Sequence, residues 1–120
     1  MQQYTDYAKD TLLRFIDGTI VHGVVSVDGV LHEVPIYATR TTEDGRLIKY
    51  IRIDSDETDN GFVEHAYLVD ATGGSWVRTD INYNRGMQSL TVAFPFDLKI
   101  MAAEKAKIYV GGKEIDQSTI

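Results

Sequence analysis

The chain has 120 residues, 43% of them hydrophobic, which is enough for one domain with a real core and too few for two. It contains no cysteine, so disulfides, thiol catalysis and cysteine-ligated metals are excluded. Twelve basic residues against eighteen acidic ones give a formal charge of −6, and phosphate backbones would be repelled, so no nucleic-acid partner is expected.

The opening residues, Met1-Gln2-Gln3-Tyr4-Thr5-Asp6, lack the basic and apolar regions of a signal peptide, so no export is expected. No apolar run reaches the roughly 18–20 residues of a membrane span, and no membrane partner is implied. A short amphipathic helix is predicted over about 5–17, with Ala8, Leu12, Phe15 and Ile16 on its apolar stripe. Thr5 or Asp6 can cap its free N–H groups, and Gly18 stands where a left-handed residue would end it.

From Thr19 onward the apolar period changes to two. Thr19 to Val27 and Val30 to Ala38 flank Asp28-Gly29, a dipeptide that favours a type I′ hairpin because both residues accept positive φ. Leu47 to Ile53, Phe62 to Val69 and Trp76 to Tyr83 read as further strands bounded by turn residues. Leu90, Val92, Phe94, Phe96, Leu98 and Ile100 alternate with polar or small neighbours, which predicts a strand with one face on the core. Pro95 cannot donate to a ladder, so that strand should lie at an edge or carry a bulge. A helical turn can form at Met101 to Lys107, Ile108 to Val110 reads as a last strand, and the tail Asp116 to Ile120 is expected to be mobile. The whole of 1–120 is therefore read as one mostly β domain. Its predicted architecture is an antiparallel β-sandwich of about seven strands within 19–110, with one short N-terminal α-helix.

The acidic stretch Asp54 to Gly61 offers oxygens at Asp56, Thr58 and Asn60 in the spacing of a calcium loop, but Tyr67 stands where a closing glutamate belongs. A solvated loop is the expectation there. His22, His32 and His65 lie in predicted strands without metal-ligand spacing, although His22 and His32 could meet across the Asp28-Gly29 hairpin. No nucleophile elbow or phosphate loop is present, and the acid pairs Asp54 with Glu64 and Asp70 with Asp80 are the only catalytic hint. No enzymatic activity and no cofactor are expected. Alternation from Trp76 puts Arg78, Asp80 and Asn82 on its face, and Val77, Thr79, Ile81 and Tyr83 on the other. A tryptophan on a polar face is either covered by a loop or offered to a partner.

In order, these pieces resemble the collar-type N-terminal domain of bacteriophage tail-fibre and baseplate proteins. The likeness rests on Thr5-Asp6-Tyr7-Ala8-Lys9-Asp10-Thr11-Leu12-Leu13 as the opening helix and on Val30-Leu31-His32-Glu33-Val34-Pro35-Ile36 after the first turn. It continues through the glycine-led strand and turn from Gly61 to Gly73, then Trp76 to Tyr83 and Leu90 to Ile100. The family's Gly-Leu-Phe-Asp before that turn reads Tyr67-Leu68-Val69-Asp70 here, and a fibre shaft is missing. The resemblance implies a compact, non-enzymatic component of a phage or prophage tail: a baseplate, fibre-attachment or adaptor subunit. Such a subunit would be made in the bacterial cytoplasm, reside in the virion, and form homo-oligomers with other tail proteins as partners. Trp76, Arg78, Tyr83 and Pro95 are the candidate interface residues. The alternative is a carbohydrate-binding sandwich that stacks sugars on Tyr67, Trp76 and Tyr83, with Tyr109 as a further aromatic.

Overall fold

The computed structural model describes residues 5–43, 45–54, 61–86, 88–96 and 107–115. One helix, α1 (Asp6–Thr19), precedes β1 (Ile20–Val27), β2 (Val30–Thr41), β3 (Leu47–Ile53) and β4 (Gly61–Asp70). The chain continues through β5 (Ser75–Gly86), β6 (Leu90–Phe96), β7 (Lys107–Val110) and β8 (Lys113–Ile115). All pairings are antiparallel. The eight strands form one sheet in the order β5-β4-β1-β2-β3-β6-β7-β8, curled into a half-barrel.

That single curled sheet stands where two packed sheets were expected, and β2 explains the difference. Its first part, through Pro35, pairs with β1, and its second part, from Ile36, pairs with β3. The register slips between Ile36 and Ala38, so the strand turns a corner without leaving the sheet. Curling lets both halves bury their inner faces together. Val25, Val63, Leu68 and Ile81 on one side share a core with Ile51, Val92, Phe94 and Ile108 on the other.

The Asp28-Gly29 hairpin forms as the sequence predicts, with φ of 51° and 78° at the two turn residues. It is also held from outside. Asp28 exchanges backbone and side-chain hydrogen bonds with Phe62, and Glu64 Oε1 accepts from Gly29 N at 2.5 Å and Ser26 Oγ at 3.0 Å. The extra strand, β8, is the hairpin partner of β7. Pro95 lies opposite Ile48 of β3 but beyond the β7 ladder, which spans only Leu90 to Ala93 of β6. β6 is thus an interior strand, and among the described residues its second neighbour does not reach the proline. The expected continuation of that strand to Ile100 and the tail 116–120 lie outside the described residues, as does the helical turn expected over 101–107 except for Lys107, which is the first residue of β7 and not helical.

Helix α1 starts where predicted, with Thr5 Oγ1 accepting from Ala8 N at 3.1 Å. It runs past Gly18 to Thr19, and Ile20 N–H closes the last turn on the Ile16 carbonyl. Gly18 is therefore an interior helical residue, not a left-handed cap. The buried stripe is also rotated: Leu13 is buried and Ile16 packs on the core, while Leu12 and Phe15 remain exposed. Sheet register places the helix's neighbours at one end of the half-barrel, where Ile20, Asp70, Ser75, Thr39 and Lys49 gather. No helix among the described residues is long and apolar enough to cross a membrane.

Candidate functional site

Asp70 organises the turn between β4 and β5. One carboxylate oxygen accepts from Thr72 Oγ1 at 2.7 Å, Thr72 N at 2.9 Å and Gly74 N at 2.9 Å. The other accepts from the indole N–H of Trp76 at 3.0 Å. Donors that favour the ionised form hold this carboxyl well below the usual range: the Thr72 hydroxyl first, then the Trp76 indole and the Gly74 amide. Gly73 has a φ of 86°, and a side chain on Gly74 would come within 3.1 Å of the Asp70 carboxylate. The Gly73-Gly74 pair thus serves the turn's geometry.

This network fixes the tryptophan without covering it. Trp76 stays 43% exposed, and its ring lies 6.3 Å from that of Phe15, tilted by 52°. Phe15 is itself 60% exposed, and Val21 stands open in the β1 bulge between Ile20 and His22 at the same end of the sheet. The outcome is an aromatic corner made by helix, turn and edge strand.

The face of Trp76 follows from the ladder. Tyr67 lies opposite Arg78 and His65 opposite Asp80, so these four share the outer face of β4 and β5 with Trp76. His65 and Tyr67 stack at 5.9 Å, and Arg78 reaches Asp80 at 3.4 Å. Tyr83 lies on the inner face, packed against the core. Pro95 and Tyr109 belong to β6 and β7, in the other half of the sheet. Of the residues singled out in the sequence, the structure brings together Tyr67, Trp76 and Arg78, and separates Tyr83, Pro95 and Tyr109 from them.

The paired acids do not meet. Glu64 is bound to the β1–β2 hairpin, Asp54 to Arg52 at 3.1 Å, Asp70 to its own turn and Asp80 to Arg78. His22 and His32 do not face each other either. His22 stands opposite Pro35 and His32 opposite Val25, an odd offset that puts them on opposite faces. His22 lies 3.3 Å from Glu33 instead. Asp56, Thr58 and Asn60 lie outside the described residues. Among the described residues, no group of three or more His, Asp or Glu could hold a metal ion.

Two buried cations escape a sequence reading. Lys49 alternates with Leu47 and Ile51 on the inner face of β3 and is 3% exposed. Its ammonium donates to the Asp17 carboxylate, to the Asp17 carbonyl at 3.2 Å and to Thr39 Oγ1 at 3.1 Å. Arg85, 1% exposed, donates to the Gln88 carbonyl at 2.7 Å and to the Asp54 carbonyl at 3.4 Å, tying the far end of β5 to that of β3. A lysine inside an alternating strand was the available signal for the first, since Lys49 shares parity with Leu47, Ile51 and Ile53.

No protein-family model, characterised protein or solved structure matches this chain.

Proposed function

We propose that the chain is a non-enzymatic structural or assembly subunit that works through protein–protein surfaces, of the phage or prophage tail class its sequence resembles. The observation that carries this reading is the aromatic corner. Trp76 is held in one orientation by Asp70 and left half-exposed beside Phe15, with Arg78 on the same face. A rigid, partly exposed tryptophan flanked by an arginine is the composition of an interface centre. The structural bonds taken up by Asp54, Glu64, Asp70 and Asp80 support the same reading.

Genes flanking the one that encodes this chain test the class. Tail, tape-measure or lysis genes beside it, and co-purification with one of their products on co-expression, are the expected result. A neighbourhood with no tail genes overturns the assignment.

Carbohydrate binding is the second reading, because Tyr67 and Trp76 share an exposed face. Tyr83 is not part of that platform. Glycan-array binding that disappears in Trp76→Ala supports it, and no binding to any glycan overturns it.

A further inference from the structure

The chain carries three Asp-Gly pairs, Asp17-Gly18, Asp28-Gly29 and Asp44-Gly45. Of aspartyl pairs, Asp-Gly is the most open to isoaspartate formation, because no side chain on the glycine shields the nitrogen that attacks. Asp17-Gly18 lies within α1 and Asp44 outside the described residues, whereas Asp28-Gly29 forms the exposed tip of the β1–β2 hairpin. In the reaction the Gly29 nitrogen bonds to Asp28 Cγ, its proton and the carboxyl hydroxyl leave as water, and an imide ring results. Water then opens the ring at the Asp28 backbone carbonyl, which routes the main chain through the side chain. The product gains a main-chain methylene inside a two-residue turn, and that turn sets the register of β1 on β2.

Both turn residues are exposed, so burial does not keep water from them. Hydrogen bonds restrain them instead. Closing the ring needs rotation about the Cα–C and Cα–Cβ bonds of Asp28, and the groups on either side are tied. Asp28 N donates to the Phe62 carbonyl at 2.9 Å, and Asp28 Oδ1 accepts from Phe62 N at 3.1 Å. Gly29 N donates to Glu64 Oε1 at 2.5 Å. To attack, that nitrogen must lose its proton, and a carboxylate beside it opposes the negative charge left behind. A carboxylate is also far too weak a base to take an amide proton itself. Glu64 reaches the turn because of a bulge. Ser26 lies opposite His65 and Val27 opposite Val63, so Glu64 has no partner on β1 and its side chain is aimed at the hairpin.

We propose that Asp28-Gly29 is a latent isoaspartate site and that the bulged Glu64 guards it, by keeping the Gly29 nitrogen engaged and protonated. The conversion needs only water, and the guard does not depend on what the chain assembles with. Loss of the guard would convert the turn and loosen β1, which lies between β2 and β4 in the sheet.

Ageing the purified chain at neutral pH and body temperature tests this, with isoaspartate at Asp28 located by electron-transfer fragmentation of its peptides. Asp28 in the folded chain should convert roughly tenfold or more slowly than in the same chain unfolded in guanidinium chloride. Glu64→Ala should raise the folded-state rate at Asp28 roughly tenfold, because the attacking nitrogen loses a hydrogen bond to a charged group. Glu64→Gln keeps an acceptor oxygen without its charge and should fall between Glu64→Ala and wild type. Ser26→Ala removes the hydroxyl that donates to the same Glu64 oxygen at 3.0 Å, leaves Gly29 bound, and should convert at the wild-type rate. Far-UV circular dichroism checks that each variant is folded. The comparison of folded with unfolded wild type needs no variant, and Glu64→Gln against wild type decides if Glu64→Ala does not fold. A turn that converts as fast folded as unfolded overturns the proposal, as do Glu64 variants that convert at the wild-type rate. Ser26→Ala converting as fast as Glu64→Ala also overturns it, since general loosening of the hairpin would then explain both.

Discussion

At the scale of single residues, Asp70 and Gly23 make the sharpest demands. Asp70 is ionised in the folded chain at pH values where an ordinary aspartate, near ~3.9, would already be protonating. A carboxyl whose folded pKa is lowered contributes stability that is fully present above the unfolded value and is lost as pH falls through the folded one. Trp76 emission should therefore show no titration around pH ~3.9 and should change only at lower pH. Asp70→Ala should abolish that acid limb and shift Trp76 emission at neutral pH, since the indole loses its acceptor. Gly23 poses a steric demand instead. A methyl group there would meet Ile51 Cγ2 at 2.7 Å and Cδ1 at 2.9 Å within the core. Gly23→Ala should cost about 1–3 kcal/mol by urea denaturation. In the pair with Ile51→Ala the two losses should sum to less than their separate values, because the second change removes the obstacle to the first.

Among elements, α1 depends on a residue that is not its own. Its last turn carries no basic side chain, and the Asp17 carbonyl near its C-terminus takes a hydrogen bond from Lys49 of β3. Lys49→Met should loosen the helix and lower stability by about 1–3 kcal/mol, seen as faster amide exchange in α1 than in β1. The cost stays moderate because Asp17, half-exposed, can be rehydrated. The same element shows what the sequence could reveal. Thr5 as the cap was legible, because capping is a local matter of one hydroxyl and one amide. The buried stripe was read one position off, since Leu12 and Leu13 are equally apolar and only the sheet below chooses between them. In β1 and β2 the hairpin was legible at Asp28-Gly29, where backbone conformation dictates residue type. β8 was not, because three residues are too few to show a period. Single curled sheet or sandwich was also beyond local pattern: both bury alternate residues, and the bend at Ile36 to Ala38 is a property of pairing. The aromatic corner was half legible. Trp76 stood out on a polar face, but Phe15 meets it only through the tertiary placement of the helix.

For the whole molecule, the shared core has a consequence for unfolding. Both halves of the sheet contribute to one cluster, and neither can shed the other without exposing it. Urea transitions followed by Trp76 emission, which reports the β4–β5 half, and by far-UV circular dichroism, which averages the chain, should coincide. Transitions that separate would mean the halves unfold independently.

The strand order also fixes what a ribosome must manage. β1, β2 and β3 are neighbours both in sequence and in space, so this meander can form as soon as it is made. Its two flanks are later taken by β4, beside β1, and by β6, beside β3. A newly made chain therefore carries a three-stranded ribbon with both sides bare, and the two sides are closed at different times. The first is sealed when β4 arrives, and the second waits until β5 has also been made. For that interval the exposed side of β3 is the place where a nascent chain is open to pairing with its neighbours on a polysome.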